Sequence, residues 1–245
     1  RPCTSRSRLS DSSTPSATPP KVPSRPITVP WVANTASTLP GLAPGRTVHA
    51  YTLREPVGVT ALIVPWNAPL GNMFIKLAPA LAAGCCCIVK PAEDTPLNAL
   101  RAGELALEAG VPPGVVNVVP GLGHVAGAAL AGHPDVDKVS FTGSAEVGRT
   151  VVREAAGTLK RVTMELGGKS PNVVFADADL EAALRGAFSG IFYNKGEVCA
   201  AGSRLLVERS VHEAFVKTLA ERTDAIVLGD PRDKGTRMGP VVSEA

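Results

Sequence analysis

The stretch from Val57 to Val64, VGVTALIV, decides the fold of this chain. Its apolar and β-branched residues follow one another without polar alternation, which is typical of a strand buried on both faces of a parallel sheet. Apolar residues at helical spacing follow over Leu70–Ala83, and Cys85–Val89 is a second short apolar strand. A strand, a helix and a strand in this order predict a right-handed βαβ unit.

The same alternation of strands and helices continues along the chain. The further elements predicted from the apolar spacing are helix Leu97–Ala109, strand Val115–Val119, helix Val125–Ala131, strand Lys138–Phe141, helix Ala145–Ala156, strand Arg161–Glu165, helix 179–192 and strand Arg204–Glu208. Repeated βαβ units of this kind predict an α/β fold built on a parallel sheet.

Composition excludes several classes of protein. The 245 residues are 44% hydrophobic and 19% charged, with a net charge of +3, which is not the composition of a disordered chain. The longest apolar runs are too short to span a bilayer, and five cysteines are too few for a disulfide framework. Residues 1–45 carry five Lys or Arg and one acid, so the rest of the chain is near neutral and lacks the basic face of a nucleic-acid-binding protein.

Residues 1–45 also hold nine of the 22 prolines, in a segment rich in Ser and Thr, and residues 1–26 show no apolar periodicity. Such composition predicts a disordered arm. A targeting peptide and a non-native or mis-assigned end of a fragment are both open interpretations of this arm.

Polar or glycine-rich segments stand just after the predicted strands. These segments are 65–69 (PWNAP), 90–93 (KPAE), 142–148 (TGSAEVG) and 166–171 (LGGKSP). Because ligands of parallel α/β sheets bind beyond the carboxyl ends of the strands, the sequence predicts a binding site at this edge.

Two of these segments suit a nucleotide. Gly143 and Ser144 lead from a strand into a helix, where backbone N–H groups could meet a phosphate, although the same residues also suit a plain turn. Lys90 and Glu93 could both hydrogen-bond a ribose diol, or could form a solvated pair that opens the next helix.

One cysteine and one carboxylate are candidates for catalysis. Cys85–Cys87 lie on a strand and are expected in the core, whereas Cys199 lies among small residues and is either a nucleophile or a buried loop cysteine. Glu165 ends a strand beside glycines, and is either a general base or a cap of the next turn.

A hydrolase with a Cys–His pair is the competing interpretation of Cys199. No histidine lies in a motif that suggests a base, and no Cys or His pair has the spacing of zinc ligands. The histidines are His49, which precedes the core, His124 and His133, which flank a short predicted helix, and His212, which is expected to begin a surface helix.

Six segments in one order resemble the NAD(P)-dependent aldehyde dehydrogenase superfamily, over about residues 46–245. They are Pro65–Asn67 (PWN), Lys90–Pro96 (KPAEDTP), Gly110–Val118 (GVPPGVVNV), Phe141–Ser144 (FTGS), Met164–Pro171 (MELGGKSP) and Gly196–Cys199 (GEVC). The resemblance implies a Rossmann-like parallel sheet with helices on both faces, followed by the start of a second α/β catalytic domain.

The resemblance also implies roles for individual residues. Cys199 would attack the aldehyde, the Asn67 amide and the Cys199 N–H would form the oxyanion hole, and Glu165 would activate water. The residues implied to bind the cofactor are Val64, Pro65, Trp66, Asn67, Lys90, Pro91, Ala92, Glu93, Gly123, Gly143, Ser144, Glu165, Leu166 and Gly167. Glu93 favours NAD over NADP, because a carboxylate repels a 2′-phosphate. The chain departs from the family pattern at Lys195 and Glu197, where many members have Gln, and a carboxylate so close to Cys199 is expected to oppose thiolate formation.

The expected organisation is an arm over residues 1–45, an NAD-binding domain over 46–166 and a partial catalytic domain over 167–245. The expected protein is a cytoplasmic enzyme with an aldehyde substrate and no nucleic-acid or membrane partner. By family it would be a homo-oligomer whose contact hairpin includes Gly45–Val57. The family's later Glu-x-Phe-Gly-Pro segment is not found, so a central fragment is expected. Two alternatives stay open, an inactive or merely nucleotide-binding remnant and a thiol esterase that uses Cys199 with Glu165.

Overall fold

The computed structural model describes residues 55–243. The predicted arm over 1–45, and nearly all of the Gly45–Val57 contact hairpin, therefore lie outside the described residues. No helix between residues 55 and 243 combines the length and the apolar character that crossing a bilayer would need.

A five-stranded, all-parallel sheet forms the larger part of the described chain. Its strands are β1 (Val59–Ile63), β2 (Cys86–Lys90), β3 (Val116–Val118), β4 (Lys138–Gly143) and β5 (Arg161–Leu166). Their order across the sheet is β3-β2-β1-β4-β5. The register pairs Ile63 of β1 with Lys90 on one side and with Phe141 on the other, so the carboxyl ends of the strands form one edge. The predicted parallel α/β architecture is confirmed.

Helices cover both faces of this sheet. They are α1 (Pro69–Ala82), α2 (Leu97–Glu108), α3 (Ala128–Gly132) and α4 (Ala145–Ala156). Along β1, Leu62 packs in one core with Met73 of α1, while Ala61 packs in the other core with Val151 of α4. Alternate residues of β1 thus enter opposite cores, which explains why the strand is apolar at every position.

The two halves of the sheet meet between β1 and β4. Chain order runs outward from β1 to β3 on one side and from β4 to β5 on the other, with α3 on the connection. Such a reversal opens a crevice beyond the carboxyl ends of the two central strands, and ligands of doubly wound sheets bind there. The topology therefore places any cofactor site next to residues 64–69 and 143–148.

A second, smaller α/β unit follows. Its strands are β6 (Pro171–Val174) and β7 (Arg204–Val207), which pair in parallel, and its helices are α5 (Leu180–Phe192) and α6 (Arg209–Asp224). Val174, Leu184 and Phe215 form its buried core. Asp179 caps α5 by accepting a hydrogen bond from the Ala182 N–H at 3.0 Å.

The structure differs from the predicted elements at three places. β6 was not predicted, because it begins at a proline and exposes one face, so it lacks an apolar run. The helix predicted over Val125–Ala131 begins instead as a π-helical turn over Gly123–Gly127 and continues as α3. The helix expected to begin at His212 starts at Arg209.

Candidate active site

The strand register gathers most of the predicted site residues at one edge of the sheet. Lys90 ends β2, Glu165 pairs with Thr142 of β4, and Leu166 pairs with Gly143. The segment Pro65–Pro69 continues from β1 into α1 and lies between these groups in the strand order. Pro65, Trp66 and Asn67 are half-buried. Residues far apart in sequence therefore line the crevice that the topology creates.

The amino terminus of α4 is one wall of this crevice. The Ser144 hydroxyl caps the helix by accepting a hydrogen bond from the Val147 N–H at 3.2 Å. The Gly143 and Gly148 positions are close-packed. A Cβ atom at 143 would lie 2.5 Å from Phe141 Cζ, and one at 148 would lie 2.8 Å from a Leu166 methyl carbon. The glycines let helix and strand approach, so the helix terminus reaches the strand ends.

Lys90 and Glu93 form an ion pair between a buried ammonium and a partly exposed carboxylate. The Lys90 side chain is 3% exposed, and its Nζ atom lies 3.1 Å from Glu93 Oε2. The other oxygen, Oε1, accepts a hydrogen bond from the Gly123 N–H at 3.2 Å. Hydrogen bonds from its own backbone N–H, from Gly123 and from Lys90 hold the pKa of the Glu93 carboxyl below its usual value. Glu93 therefore stays ionised, with its side chain half exposed toward the crevice edge.

Asn67 connects the large sheet to the cysteine-bearing loop. Its side-chain amide donates a hydrogen bond to the Glu197 carbonyl at 2.8 Å. In return the Asn194 amide donates to the Asn67 carbonyl at 3.1 Å, and also to the Glu197 carbonyl at 3.4 Å. These three contacts fix Asn67 against the loop two residues before Cys199.

The loop has an unusual backbone at Asn194, Lys195 and Gly196. All three have positive φ, at 48°, 63° and 80°, a left-handed run that disfavours residues with a Cβ atom. Asn tolerates this region best among residues with side chains, and its amide contacts help to hold the turn. The turn directs the chain from α5 toward Cys199.

Cys199 is exposed and carries a free thiol, which excludes the interpretation of Cys199 as a buried loop cysteine. The segment after β5 lies against it, since a Cβ atom at Gly168 would lie 3.8 Å from the Cys199 carbonyl oxygen. Glu165 is exposed near the end of β5, and between residues 55 and 243 its carboxylate has no hydrogen bond and no ion pair.

The three consecutive cysteines lie in the core, as predicted. Cys85 and Cys87 are buried free thiols, and Cys86 is buried as well.

Sequence reasoning missed a buried lysine behind the site. Lys76 of α1 is 9% exposed and donates a hydrogen bond from Nζ to the Ser140 hydroxyl at 3.1 Å. Burial lowers the pKa of its ammonium, while the charge of Glu165 opposes that shift. The sequence does mark this lysine, because Lys76 falls at helical spacing between the apolar residues Met73 and Leu77, which form the buried face of the helix.

Sequence reasoning also missed Asn194 and a set of apolar side chains. Three exposed apolar side chains lie in the segments after β3 and β4, namely Leu122, Val125 and Val147. Exposure of large apolar groups beside a polar crevice is a signal of ligand contact, but it is available only from the structure. Asn194 has its partner 127 positions away in the sequence, so no local pattern marks it.

Two open cavities of the described chain lie away from the carboxyl edge of the sheet. One, of about 690 Å³, lies among loop residues 228–240, and the other, of about 820 Å³, lies at the amino-terminal edge of the sheet near Asp137 and Lys160. Neither contains the strand-end residues, so the chemistry of the side chains identifies the candidate site better than cavity size does. Residues 55–243 place no group of three His, Cys, Asp or Glu side chains where they could hold a metal ion.

Comparison with known proteins agrees with this geometry. The family model described as "Aldehyde dehydrogenase family" matches residues 18–245, a range that begins before residue 46 and enters the predicted arm. The chain is 55% identical over 199 residues to cytosolic aldehyde dehydrogenase 1 of Rattus norvegicus, and this match covers 80% of the chain and 40% of the relative.

Solved structures match the same part of the chain. Betaine aldehyde dehydrogenase from Staphylococcus aureus, in complex with NAD+, is 46% identical with a TM-score of 0.76, over 78% of this chain and 38% of that one. An aldehyde dehydrogenase from Bacillus cereus is 52% identical with a TM-score of 0.77, over 79% of this chain and 39% of that one. The chain spans about 40% of the length of the relatives it matches.

Proposed function

The chain belongs to the aldehyde dehydrogenase family, and on that premise we propose that this protein oxidises an aldehyde to a carboxylic acid with NAD, using Cys199 as the nucleophile. One observation carries the proposal. The Asn67 amide is held 2.8 Å from a carbonyl of the loop that bears the exposed Cys199 thiol, at the carboxyl edge of a doubly wound sheet. A nucleophile, an amide donor and a nucleotide-type crevice thus meet in one place.

The residues of the crevice suit NAD. The buried Lys90 and the ionised Glu93 present an ammonium and a carboxylate for the two hydroxyls of a ribose, and Glu93 would repel a 2′-phosphate. The close-packed glycines leave the amino terminus of α4 open for a pyrophosphate near Gly143 and Ser144. Bound NAD would accept the hydride of the aldehyde.

The remaining proposed cofactor contacts come from the strand ends. Besides the groups just named they are Val64, Pro65, Trp66, Asn67, Pro91, Ala92, Gly123, Glu165, Leu166 and Gly167. Exposed apolar groups at Leu122, Val125 and Val147 offer a surface for the adenine ring. The NAD-bound structural relative supports this assignment, because it shares the fold over most of this chain.

The first role of the protein's own residues is to form and stabilise a tetrahedral adduct. The Cys199 sulfur adds to the aldehyde carbon, and the thiol proton leaves, so the carbonyl oxygen gains negative charge. Asn67 uses one amide hydrogen for the Glu197 carbonyl, and its second hydrogen is available for that oxygen together with the Cys199 N–H. Holding the amide in advance lowers the cost of ordering it during the reaction.

The second role is hydrolysis of the thioester left on Cys199. Glu165 is exposed, unpaired within residues 55–243 and located in the strand that leads to Gly168, which lies against Cys199. Its carboxylate takes a proton from water, the resulting hydroxide attacks the thioester carbonyl, and the C–S bond breaks to release the acid. Cys199 leaves as the thiolate and can react again.

We also propose the wider setting of the enzyme. Residues 46–166 form the NAD-binding domain and residues 167–245 belong to the catalytic domain. The substrate is a small-molecule aldehyde, the enzyme assembles as a homo-oligomer, and it works in the cytoplasm, as the name of the rat relative suggests.

Comparison of the Cys199→Ala variant with wild type tests this function. We expect NAD binding in isothermal titration to be unchanged and NADH formation from an aldehyde to fall by at least about 10³-fold, because the nucleophile is lost. Ser203→Ala, in the same loop, is the matched control and should retain activity. Aldehyde oxidation that persists in Cys199→Ala would contradict the proposal.

A further inference from the structure

Two opposite charges, Lys195 and Glu197, lie in the loop that carries the proposed nucleophile Cys199. Lys195 Nζ lies 3.1 Å from Glu197 Oε2, and the two side chains are only 21% and 19% exposed. The contact is electrostatic rather than a well-aligned hydrogen bond, because Glu197 Oε2 is fully buried and has no directed donor. The other carboxylate oxygen is 3.5 Å from the Val242 N–H, at the limit of a hydrogen bond.

The position of Glu197 gives this pair a chemical consequence. Glu197 is two residues from Cys199, and its carboxylate is largely removed from water, so its charge is poorly screened. An uncompensated carboxylate there would disfavour the negative thiolate, which is the form that attacks an aldehyde. The ammonium of Lys195 cancels most of that charge at short range.

The backbone of the loop does not depend on these charges. The Glu197 N–H donates to the Asn194 carbonyl at 3.0 Å, and the Asn194 amide holds the Asn67 carbonyl. Lys195 Nζ also lies 3.3 Å from the Asn194 Oδ1 atom, a contact that the amide of a glutamine could replace. Charge can therefore be removed at either position while the hydrogen bonds of the turn remain.

We propose that Lys195 is the counter-ion of Glu197 and that, by cancelling its charge, Lys195 keeps that carboxylate from opposing thiolate formation at Cys199. The inference rests on the proposed function of Cys199 as the nucleophile. Lys195 acts through Glu197 and is a positioning residue, not a catalytic one. It also explains how a carboxylate is tolerated two residues before a reactive thiol.

Other charged groups approach the loop from neighbouring elements. Glu165 lies near the end of β5 and Lys169 in the segment after it, and Arg204 of β7 donates from Nε to the Lys169 carbonyl at 2.7 Å. Lys76 lies behind Glu165 and interacts with it electrostatically. The segments 65–69 and 241–243, which contact the loop from the other sides, carry no charge. All of these groups are unchanged in the variants below, so their effects cancel in a comparison.

The test measures Cys199 alkylation by iodoacetamide as a function of pH, with modified peptides resolved by mass spectrometry. In Lys195→Gln we expect the pH midpoint of the alkylation rate to rise by about one unit, and in Glu197→Gln to fall. The double variant should return to within a few tenths of a unit of wild type, because both charges are gone. A general disturbance of the loop would instead move both single variants in the same direction.

Three results would overturn the proposal. They are single variants that both shift the same way, single variants that do not shift, and a double variant that fails to return. Alkylation needs neither NAD nor an aldehyde, so this readout is independent of turnover. If the pH midpoints shift as expected but wild type oxidises no aldehyde, Lys195 is the counter-ion of Glu197 and the proposed function is wrong. If wild type oxidises an aldehyde but the pH midpoints of the variants do not differ, only the proposed role of Lys195 is wrong.

Discussion

The large sheet and the small sheet of this protein bury their strands in different ways. Residues Thr60–Ile63 of β1 are all buried, as is Val64 directly after the strand, because helices cover both faces of the five-stranded sheet. In the two-stranded sheet Val174 is 4% exposed, whereas Val173 is 52% and Leu206 is 54% exposed. The small sheet therefore rests on one core only. The site takes its cofactor-binding edge from the five-stranded sheet and its nucleophile from the unit with the two-stranded sheet. The unit with the smaller core therefore carries the reactive group.

The largest expected effect is loss of the small core. Phe215 is 3% exposed and is the largest side chain of the cluster that joins α5 and α6 to β6 and β7. Phe215→Ala should cost about 3–5 kcal/mol through lost burial and a cavity. Peptide-resolved hydrogen exchange should show faster exchange in β6 and β7 and little change in β1. The control Val216→Ala removes a side chain that is 39% exposed and should have little effect; equal acceleration in both sheets would contradict the separation of the cores.

A pair of leucines compares the two sheets directly. Leu62 of β1 is 2% exposed and Leu206 of β7 is 54% exposed. Leu62→Ala should lower the free energy of unfolding by about 2–5 kcal/mol, and Leu206→Ala by less than about 1 kcal/mol. Urea unfolding of the two variants measures the difference. Similar losses would mean that the outer face of the small sheet is covered after all.

The contact that joins the two regions can be cut at Asn67. Asn67→Ala removes the amide held by the Glu197 carbonyl and should lower kcat for aldehyde oxidation by about 10²–10³-fold, the usual cost of one oxyanion donor. NAD affinity should fall much less than kcat, since Asn67 is one of many proposed cofactor contacts and the ribose groups are untouched. The matched control is Asn72→Ala, on the exposed side of α1. A large loss of NAD affinity with normal kcat would contradict the assigned role.

The cofactor edge alone is tested at Lys90. Lys90→Met keeps the length of the buried side chain but removes the ammonium, and should weaken NAD binding by about 10–100-fold, as expected for a charge-assisted hydrogen bond. Isothermal titration measures the change. Arg101→Gln removes a cation whose ion pairs with Glu104 and Glu108 are exposed, and should leave NAD affinity unchanged. An unchanged NAD affinity in Lys90→Met would show that Lys90 does not bind the ribose.

The smallest effect concerns the pH dependence of stability at Glu93. Its pKa is lower in the folded protein than in an unfolded chain, so its hydrogen bonds stabilise the fold above the unfolded pKa, and that stabilisation is lost as the pH falls through the lower folded value. Wild type should therefore be more stable than Glu93→Gln at neutral pH, and the gap should close in acid. Urea midpoints at several pH values measure this gap. A gap that widens on acidification would contradict the sign.

The sequence predicted the large sheet well and the small unit less well, for physical reasons. VGVTALIV reads as a strand because both of its faces are buried, and that burial leaves a pattern of apolar residues. β6 has one exposed face and starts at Pro171, so no such pattern marks it. The strand-end residues were predictable as a group, since parallel strands end at one edge.

The contacts between regions were not predictable from local patterns. Asn67 and Glu197 are 130 positions apart, and the left-handed turn that brings them together depends on the Asn194 amide. Lys195 and Glu197 stood out in the sequence as departures from the family pattern, but only the structure shows that they pair. Long-range polar contacts of this kind depend on tertiary packing, which a single sequence does not reveal.

Trapping of a thioester on Cys199 tests the central claim most directly. In Glu165→Gln the proposed base is lost, so hydrolysis should slow and the acyl group should remain on the cysteine. After incubation with NAD and an aldehyde, acid quenching and trypsin digestion, the peptide Gly196–Arg204 should gain the mass of the acyl group. The gain should require both NAD and aldehyde. The absence of an acyl group on this peptide in a variant that still forms NADH, or acylation at another residue, would contradict the account.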